Sequence, residues 1–421
     1  MALVKRVYTD TETVITAENL NDIQDAVIAL EDGLFVVEDA KSGEAITITD
    51  AANRGFRNLS IYGKTTQDGT PTPDAPIDLV SSVDGDSISV HVYGKNLFTG
   101  WNVGGLQSDT GIPHTTATHR RTDYIPISTP GQKYSISNTP DTLYNFIAFY
   151  DADKVFIQRT AATPTKNRRI DPPINAKYFI LTIYENSQLS GEISEADAMA
   201  SSTMIEPGTT ATEYVRAKPI QTATISTPHG LRGFTVSSGG NCTDANNQQW
   251  VCDYIDTARK VYVQRIGQIT LNGTESWLGY LVSEVNQFHV AIPSVHLPNE
   301  RGAMCKYYKP IKLAERNNNY NTVYTYNGGI AINTQECATV AEWKEYLATR
   351  PITVLYVLPT PIETPLTDED IAAYTALNTY KDYATVSNSG FAHMELEYPL
   401  DAKKYIDSLA PGGTILPATV E

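Results

Sequence analysis

Ile88-Ser89-Val90-His91-Val92 alternates apolar with polar side chains at every step, the period of a strand with one face buried. The same beat runs upstream through Ala45-Ile46-Thr47-Ile48-Thr49 and Leu59-Ser60-Ile61-Tyr62. It returns downstream at Thr222-Ala223-Thr224-Ile225, Val261-Tyr262-Val263 and Tyr324–Ile332. Between two of these strands, Gly63 to Pro76 carries Pro71, Pro73 and Pro76. Proline cannot donate to a central ladder, so this stretch reads as a stiff, partly polyproline-like surface loop. Composition agrees with a sheet protein: 49 Thr and 25 Tyr stand against 10 Phe and 5 Met in 421 residues, and Thr and Tyr suit a half-wet pleated surface. The expected class is mainly β, built of β-sandwich or jelly-roll domains.

The alternation lapses over residues 97–216, where a different rhythm of short strands is expected: Tyr124–Ile127, Lys133–Ser137, Asn145–Tyr150, Lys154–Gln158 and Tyr178–Tyr184. Turn residues fall between them at Pro130-Gly131, Thr139-Pro140-Asp141 and Asp171-Pro172-Pro173, a spacing that suits a sandwich or jelly roll. Ser194–Met199 has the composition for one helical turn. Two short helices are signalled in the C-terminal half. Thr339 and Glu342 form a capping box before Val340–Thr349, which must stop before Pro351. Leu366, Thr367 and Ile371 fit a hydrophobic staple opening Asp368–Leu377. Ile352–Leu358 is a continuous apolar run of the kind that forms a strand covered on both faces. The tail from Asp401 ends in Pro411-Gly412-Gly413 and reads as loosely held. No repeat of 20–50 residues is visible, which argues against a propeller or β-helix.

Residues 1–42 stand apart. Leu20, Ile23, Val27, Leu30 and Leu34 recur at the a/d spacing of a coiled-coil seam, with Val37 continuing it and Gly33 a natural helix terminator. A helix of about four turns is marginal alone in water, so this one is expected to be shared between copies of the chain. Leu at a and Ile at d favours a trimer. The competing reading is an amphipathic helix packed on its own chain.

The formal net charge of −16 excludes a phosphate-tracking nucleic-acid binder. No apolar run reaches the ~20 residues that a membrane-spanning helix needs, and the N-terminus lacks the apolar core of a signal peptide. Membrane insertion and ordinary secretion are therefore not expected. Cys242, Cys252, Cys305 and Cys337 match no zinc spacing. They read as reduced thiols, with a Cys242–Cys252 bridge across a hairpin as the sharper alternative. Seven scattered histidines and the absence of nucleophile-elbow, phosphate-loop and dinucleotide motifs give no catalytic residue, no metal and no cofactor. The positive signal is aromatic. Tyr and Trp rings stack on the C–H faces of sugars while polar neighbours read hydroxyls. In the 97–216 unit Trp101, Tyr124, Tyr144, Tyr150 and Tyr184 supply rings. Arg120 and Arg121, with Arg168-Arg169, are basic spots in an acidic chain. The competing reading places most of these rings in a sandwich core.

Several stretches resemble one family. Tyr8-Thr9-Asp10 with Val14 through Asn21, Ile61-Tyr62-Gly63-Lys64-Thr65-Thr66-Gln67-Asp68-Gly69-Thr70-Pro71-Thr72-Pro73, and Gly94-Lys95-Asn96-Leu97-Phe98 look like segments of tail-fibre or baseplate proteins from phages and prophages of Gram-positive gut bacteria. Ile225 through Leu231, Ser237 through Asn241, Gln248 through Asp253 and Val354 through Glu363 fit the same pattern. Phe149-Tyr150-Asp151, Asn175 through Tyr178 and Pro207 through Tyr214 resemble a carbohydrate-binding jelly-roll module of such proteins. The resemblance implies four parts: a 1–42 attachment segment with a trimerising helix, a discontinuous β scaffold of 43–96 plus 217–400, an inserted carbohydrate-binding-like module at 97–216, and a 401–421 tail. It implies a homotrimeric virion component that is assembled in the host cytoplasm and exposed outside the cell. Such a protein joins other tail or baseplate proteins through its N-terminal segment and adsorbs to host surface polysaccharide. A purely structural tail adaptor is the alternative, and a polysaccharide-degrading tail enzyme the more distant one. Relatives often continue into a further helical segment, where this chain stops soon after Pro411-Gly412-Gly413.

Overall fold

The computed structural model describes residues 35–40, 45–48 and 52–401, apart from 108, 129, 140–142, 185–201, 283, 293–300, 318, 381–382 and 391. The expected coiled-coil positions Leu20, Ile23, Val27, Leu30 and Leu34, the helical turn at Ser194–Met199 and the tail beyond Asp401 lie outside the described residues. The described chain is mainly β. Among the described residues its α-helices are α1 (Val340–Thr349) and α2 (Asp368–Thr375).

A seven-stranded sheet runs in the order Phe35–Ala40, His393–Pro399, Asn58–Tyr62, Tyr254–Asp256, Val261–Leu271, Ile352–Pro365, Ala303–Cys305. A four-stranded sheet runs Gln221–Ser226, Ser87–Tyr93, Ala384–Asn388, Ile46–Ile48. The alternating apolar positions of both meet in one core, with Ile88, Val90, Val92, Ile46, Ile48 and Val386 against Leu59, Ile61, Ile255, Met394 and Leu396. This is a sandwich, and α2 closes one side of it through Leu366, Tyr374 and Ile371. Within the expected 1–42 segment, the strand Phe35–Ala40 pairs antiparallel with His393–Pro399, from Phe35↔Pro399 to Ala40↔Met394. Val37, which continues the heptad spacing, therefore sits in a strand opposite Glu397.

Val261–Leu271 and Ile352–Pro365 are long enough to leave this sandwich and enter a second core. There a five-stranded sheet (Trp277–Val282, Val285–Ala291, Gly329–Thr334, Thr322–Tyr326, Lys309–Pro310) packs with α1 around Trp343, Phe288, Trp277, Ile332 and Val354. The capping box of α1 forms as its sequence requires: Glu342 N–H donates to Thr339 Oγ1 at 3.3 Å, and Thr339 N–H donates to Glu342 Oε2 at 3.3 Å. Ile352–Leu358 is paired on both sides, by Val261–Leu271 and Ala303–Cys305.

The named strands between Asn102 and Pro207 pair only with one another. A six-stranded sheet contains Phe156–Arg159, Tyr144–Tyr150, Tyr178–Tyr184, His119–Arg121 and Asn102–Val103 in order, with Ile125–Pro126 pairing Tyr178–Tyr184. A three-stranded sheet orders Arg168–Ile170, Tyr134–Ser137, Met204–Pro207. Their shared core holds Ile125, Tyr134, Ile136, Ile147, Phe149, Phe179, Leu181 and Ile205. Asn96 ties both crossings of the chain at this unit's root. Its Nδ2 donates to Val215 O at 2.9 Å and Thr203 O at 3.3 Å, and its Oδ1 accepts from Phe98 N–H at 2.9 Å and Ile205 N–H at 3.1 Å.

His91, on the far face of the four-stranded sheet, is buried, and its Nδ1 lies 3.0 Å from Thr222 Oγ1. Burial, with a smaller contribution from Lys154, lowers it from the ordinary 6.5 to about 4. The neutral imidazole is the folded form, so its stabilisation is present above pH 6.5 and is lost as pH falls toward 4. The expected loss is about 3 kcal/mol at the limit. Denaturant titrations of the wild type and His91→Gln at pH 7 and 4.5 check this. Equal acid losses in the two chains would refute it.

Candidate functional site

Tyr144–Tyr150 and Tyr178–Tyr184 pair in register from Tyr144↔Tyr184 to Tyr150↔Tyr178. Because a strand alternates faces, one side of this pair buries Ile147, Phe149, Phe179 and Leu181 in the module core. The other side carries Tyr144, Phe146, Ala148 and Tyr150 beside Tyr178, Ile180, Thr182 and Tyr184. The neighbouring strand places His119 opposite Tyr184 and Arg121 opposite Thr182 on that same face. Two aromatic groups result, about 20 Å apart at ~3.4 Å per residue. At one end Tyr184 stacks on His119 with centroids 5.0 Å apart and planes 8° apart, with Tyr144 at 5.8 Å and Phe146 at 6.1 Å. At the other end Tyr124 meets Tyr150 edge-on at 4.9 Å and Tyr178 at 6.1 Å. There the Lys154 ammonium lies 4.9 Å over the Tyr124 ring and 5.7 Å over Tyr178.

The strands Gly105–Leu106 and Pro113–His114 form a hairpin over the middle of the face, and Leu106 joins Phe146, Ala148, Tyr150 and Ile180 in a small apolar cluster. Gly111, in the loop of that hairpin, has φ +65 and its carbonyl accepts from the Tyr150 hydroxyl at 2.7 Å. A Cβ there would stand 2.3 Å from the Phe156 ring, so glycine alone lets the loop close.

The structure sorts the sequence candidates by face. Tyr124, Tyr144 and Tyr184 are half-buried and share the outer face with Arg121. Tyr150 lies on that face but is only 1% exposed, sealed by the hairpin, so it braces the surface. Trp101 is a correction: it packs edge-on to Phe98 at 4.9 Å and against Leu143 and Ile183, the inner side of the sheet. Arg120 is another, because alternation turns it inward beside Ile183, where its guanidinium donates to Ala117 O at 2.9 Å and His119 O at 3.0 Å. Arg168 likewise is used internally, donating to Asn145 O and Ala161 O at 2.9 Å. Sequence reasoning missed His119, Phe146, Phe156, Lys154 and Tyr178. Tyr178 was legible, since it shares the parity of Tyr184 in one strand.

Electrostatically the face is a set of neutral rings with the cations Lys154 and Arg121 beside them and the Arg159 guanidinium 5.4 Å over the Phe146 ring. Burial, then His114 nearby, holds His119 below its ordinary range, so the imidazole stacked on Tyr184 is uncharged near neutrality. Burial pushes the Tyr150 and Tyr178 phenols upward, so both stay protonated. Among the described residues the Nε of Arg121 and the neighbouring hydroxyl of Thr182 have no hydrogen-bond partner. No protein family, curated protein or solved structure matches the chain. Among the described residues no group of three or more His, Cys, Asp and Glu side chains is placed to hold a metal. The scaffold carries clefts of its own, one of about 780 Å³ bordered by Asp84, His229, Arg232 and Gln268. A cleft encloses a small molecule, whereas half-exposed rings at the two ends of a face, on either side of a hairpin, suit an extended polymer.

Proposed function

We propose that this chain is a tail-fibre or baseplate component of a phage particle, trimerised through the N-terminal residues Leu20 to Leu34, and that it adsorbs to host surface glycan through the outer face of the 97–216 module. The observation that carries the glycan reading is the set of half-buried rings of Tyr124, Tyr144, Tyr178 and Tyr184 on one face with Arg121 among them. Sugar rings stack on such faces. Three weak sites on one axis raise avidity through effective concentration. The phage reading rests on the sequence resemblance.

The test is co-sedimentation of the full chain with purified host wall polysaccharide. Tyr184→Ala and Tyr144→Ala are expected to weaken binding about fivefold each, from the ~1 kcal/mol that a ring stack contributes. Binding that survives both substitutions removes this face as the site. A chain that scatters as a monomer at high concentration removes the avidity argument.

A second reading, a structural adaptor within the tail, has its own support. The edge strand Trp277–Val282 pairs with Val285–Ala291 and exposes Leu278, Tyr280 and Leu281 at 53%, 48% and 72%. An apolar edge of this kind invites a protein neighbour. Silence on every polysaccharide, with binding to other tail proteins retained, favours the adaptor.

A further inference from the structure

Two of the four cysteines sit together, and the proposed glycan site does not use them. Cys242–Thr243 is the edge strand of a three-stranded sheet, pairing Cys242↔Trp250 on Gln249–Cys252. Period two brings Cys252 to the same face as Trp250, diagonal to Cys242, and the three side chains form one buried cluster. Gly233 lies opposite Cys252, and a Cβ there would come 3.0 Å from the Cys252 sulfur, so the glycine leaves the sulfur room. The third member comes from another sheet: Nδ1 of His393 is 2.8 Å from Cys242 Sγ. Among the described residues the far nitrogen of that ring has no hydrogen-bond partner, and it stands 3.8 Å from Glu395, whose carboxylate accepts from Tyr62 at 3.2 Å.

The geometry points to a thiol–disulfide exchange site, in which Cys242 takes a low-molecular-weight disulfide and Cys252 resolves it into an intrachain bond. In the first step the Cys242 thiol passes its proton to His393 and attacks one sulfur of R–S–S–R. A Cys242–S–S–R bond forms as the R–S–S–R bond breaks and RS⁻ leaves. In the second step Cys252 gives up its proton and attacks Cys242 Sγ, expelling the second RS⁻. Two thiols are oxidised, one external disulfide is reduced to two RSH, and the protons balance. The order follows from the surroundings. Hydrogen bonds from Cys252 and His393 favour the Cys242 thiolate, while burial holds the Cys252 thiol up. Thiolate character selects the attacking sulfur. Cys305 and Cys337 are internal controls, since burial raises each to about 11, with Glu342 and Glu336 adding to the rise at Cys337. Both reactive thiols are buried, so the rate is set by fraying of the two-residue edge strand.

The experiment incubates the folded full-length chain with glutathione disulfide, then alkylates it and maps the peptides without reduction. The expected result is a Cys242–Cys252 cross-link with Cys305 and Cys337 fully alkylated. Cys252→Ser is expected to trap one glutathione on Cys242, and Cys242→Ser to leave Cys252 reduced. Either variant remaining folded and behaving so supports the site. Reaction of all four cysteines at one rate, reaction only in denaturant, or no trapped adduct in folded Cys252→Ser overturns it. None of these outcomes depends on glycan binding.

Discussion

Trp343→Ala is expected to cost about 3–5 kcal/mol, the range for removing a fully buried tryptophan ring. Trp343 is 0% exposed. Its ring stacks on Phe288 at 5.0 Å and 8° and meets Trp277 edge-on at 5.5 Å and 89°, with Tyr308 and Tyr346 at 6.3 and 5.6 Å. It is also half of the buried face of α1, the other half being Leu347 one turn on. A helix of 10 residues has little stability of its own, so losing the ring detaches α1 from the five-stranded sheet. Trp343→Phe is expected to cost less than half as much. It keeps the stack on Phe288 and removes an indole N–H that is buried without a partner. Thermal unfolding followed by near-ultraviolet circular dichroism checks both. An unchanged midpoint in Trp343→Ala would show that α1 does not close this core.

The contrast between that core and the tyrosine face shows where the sequence is informative. Thr339 and Glu342 announced α1 because a capping box is local, needing only residues three apart. Period-two runs such as Ser87–Tyr93 and Gln221–Ser226 announced strands, because alternation is enforced wherever one face is buried. Neither signal says which strands are neighbours. His119–Arg121 carried no strand signal at all, and its three residues are ordered by pairing with Thr182 to Tyr184. Hence Arg120 and Arg121, adjacent in sequence and taken together, point to opposite faces, and Trp101 lies across the sheet from the tyrosines it was grouped with. Phe35–Ala40 was hidden for a similar reason. Its ladder partner, His393–Pro399, lies more than 350 residues away.

Asp253→Ala is expected to cost about 3–9 kcal/mol, because it leaves one buried and two half-buried N–H groups without an acceptor at ~1–3 kcal/mol each. The need for this carboxylate begins in Pro359 and Pro361. The pairing of Val261–Leu271 with Ile352–Pro365 runs Gln264↔Ile362 and then Ile266↔Val357, so the proline-bearing strand bulges away at Arg265. A proline cannot supply ladder bonds, and a bulge leaves backbone groups of the partner strand unpaired. Asp253 Oδ1 takes them, accepting from Arg265 N–H at 2.6 Å and Ile266 N–H at 2.8 Å, while Oδ2 accepts from Arg232 N–H at 3.0 Å. Asp253→Asn keeps one oxygen for the first two donors but turns an amide N–H₂ toward the third, so an intermediate loss is expected. Charge gives the pair of substitutions a pH signature. Burial raises the Asp253 carboxyl to about 7 in spite of those three donors. A folded-state pKa above the unfolded one adds stability that is complete below about 3.8 and is lost as pH rises through about 7. Asn has no such titration, so the gap in Tm between wild type and Asp253→Asn should narrow from pH 5 to pH 8. A gap that stays constant over that interval would mean that the three N–H donors outweigh burial and that the carboxylate is held ionised across the bulge.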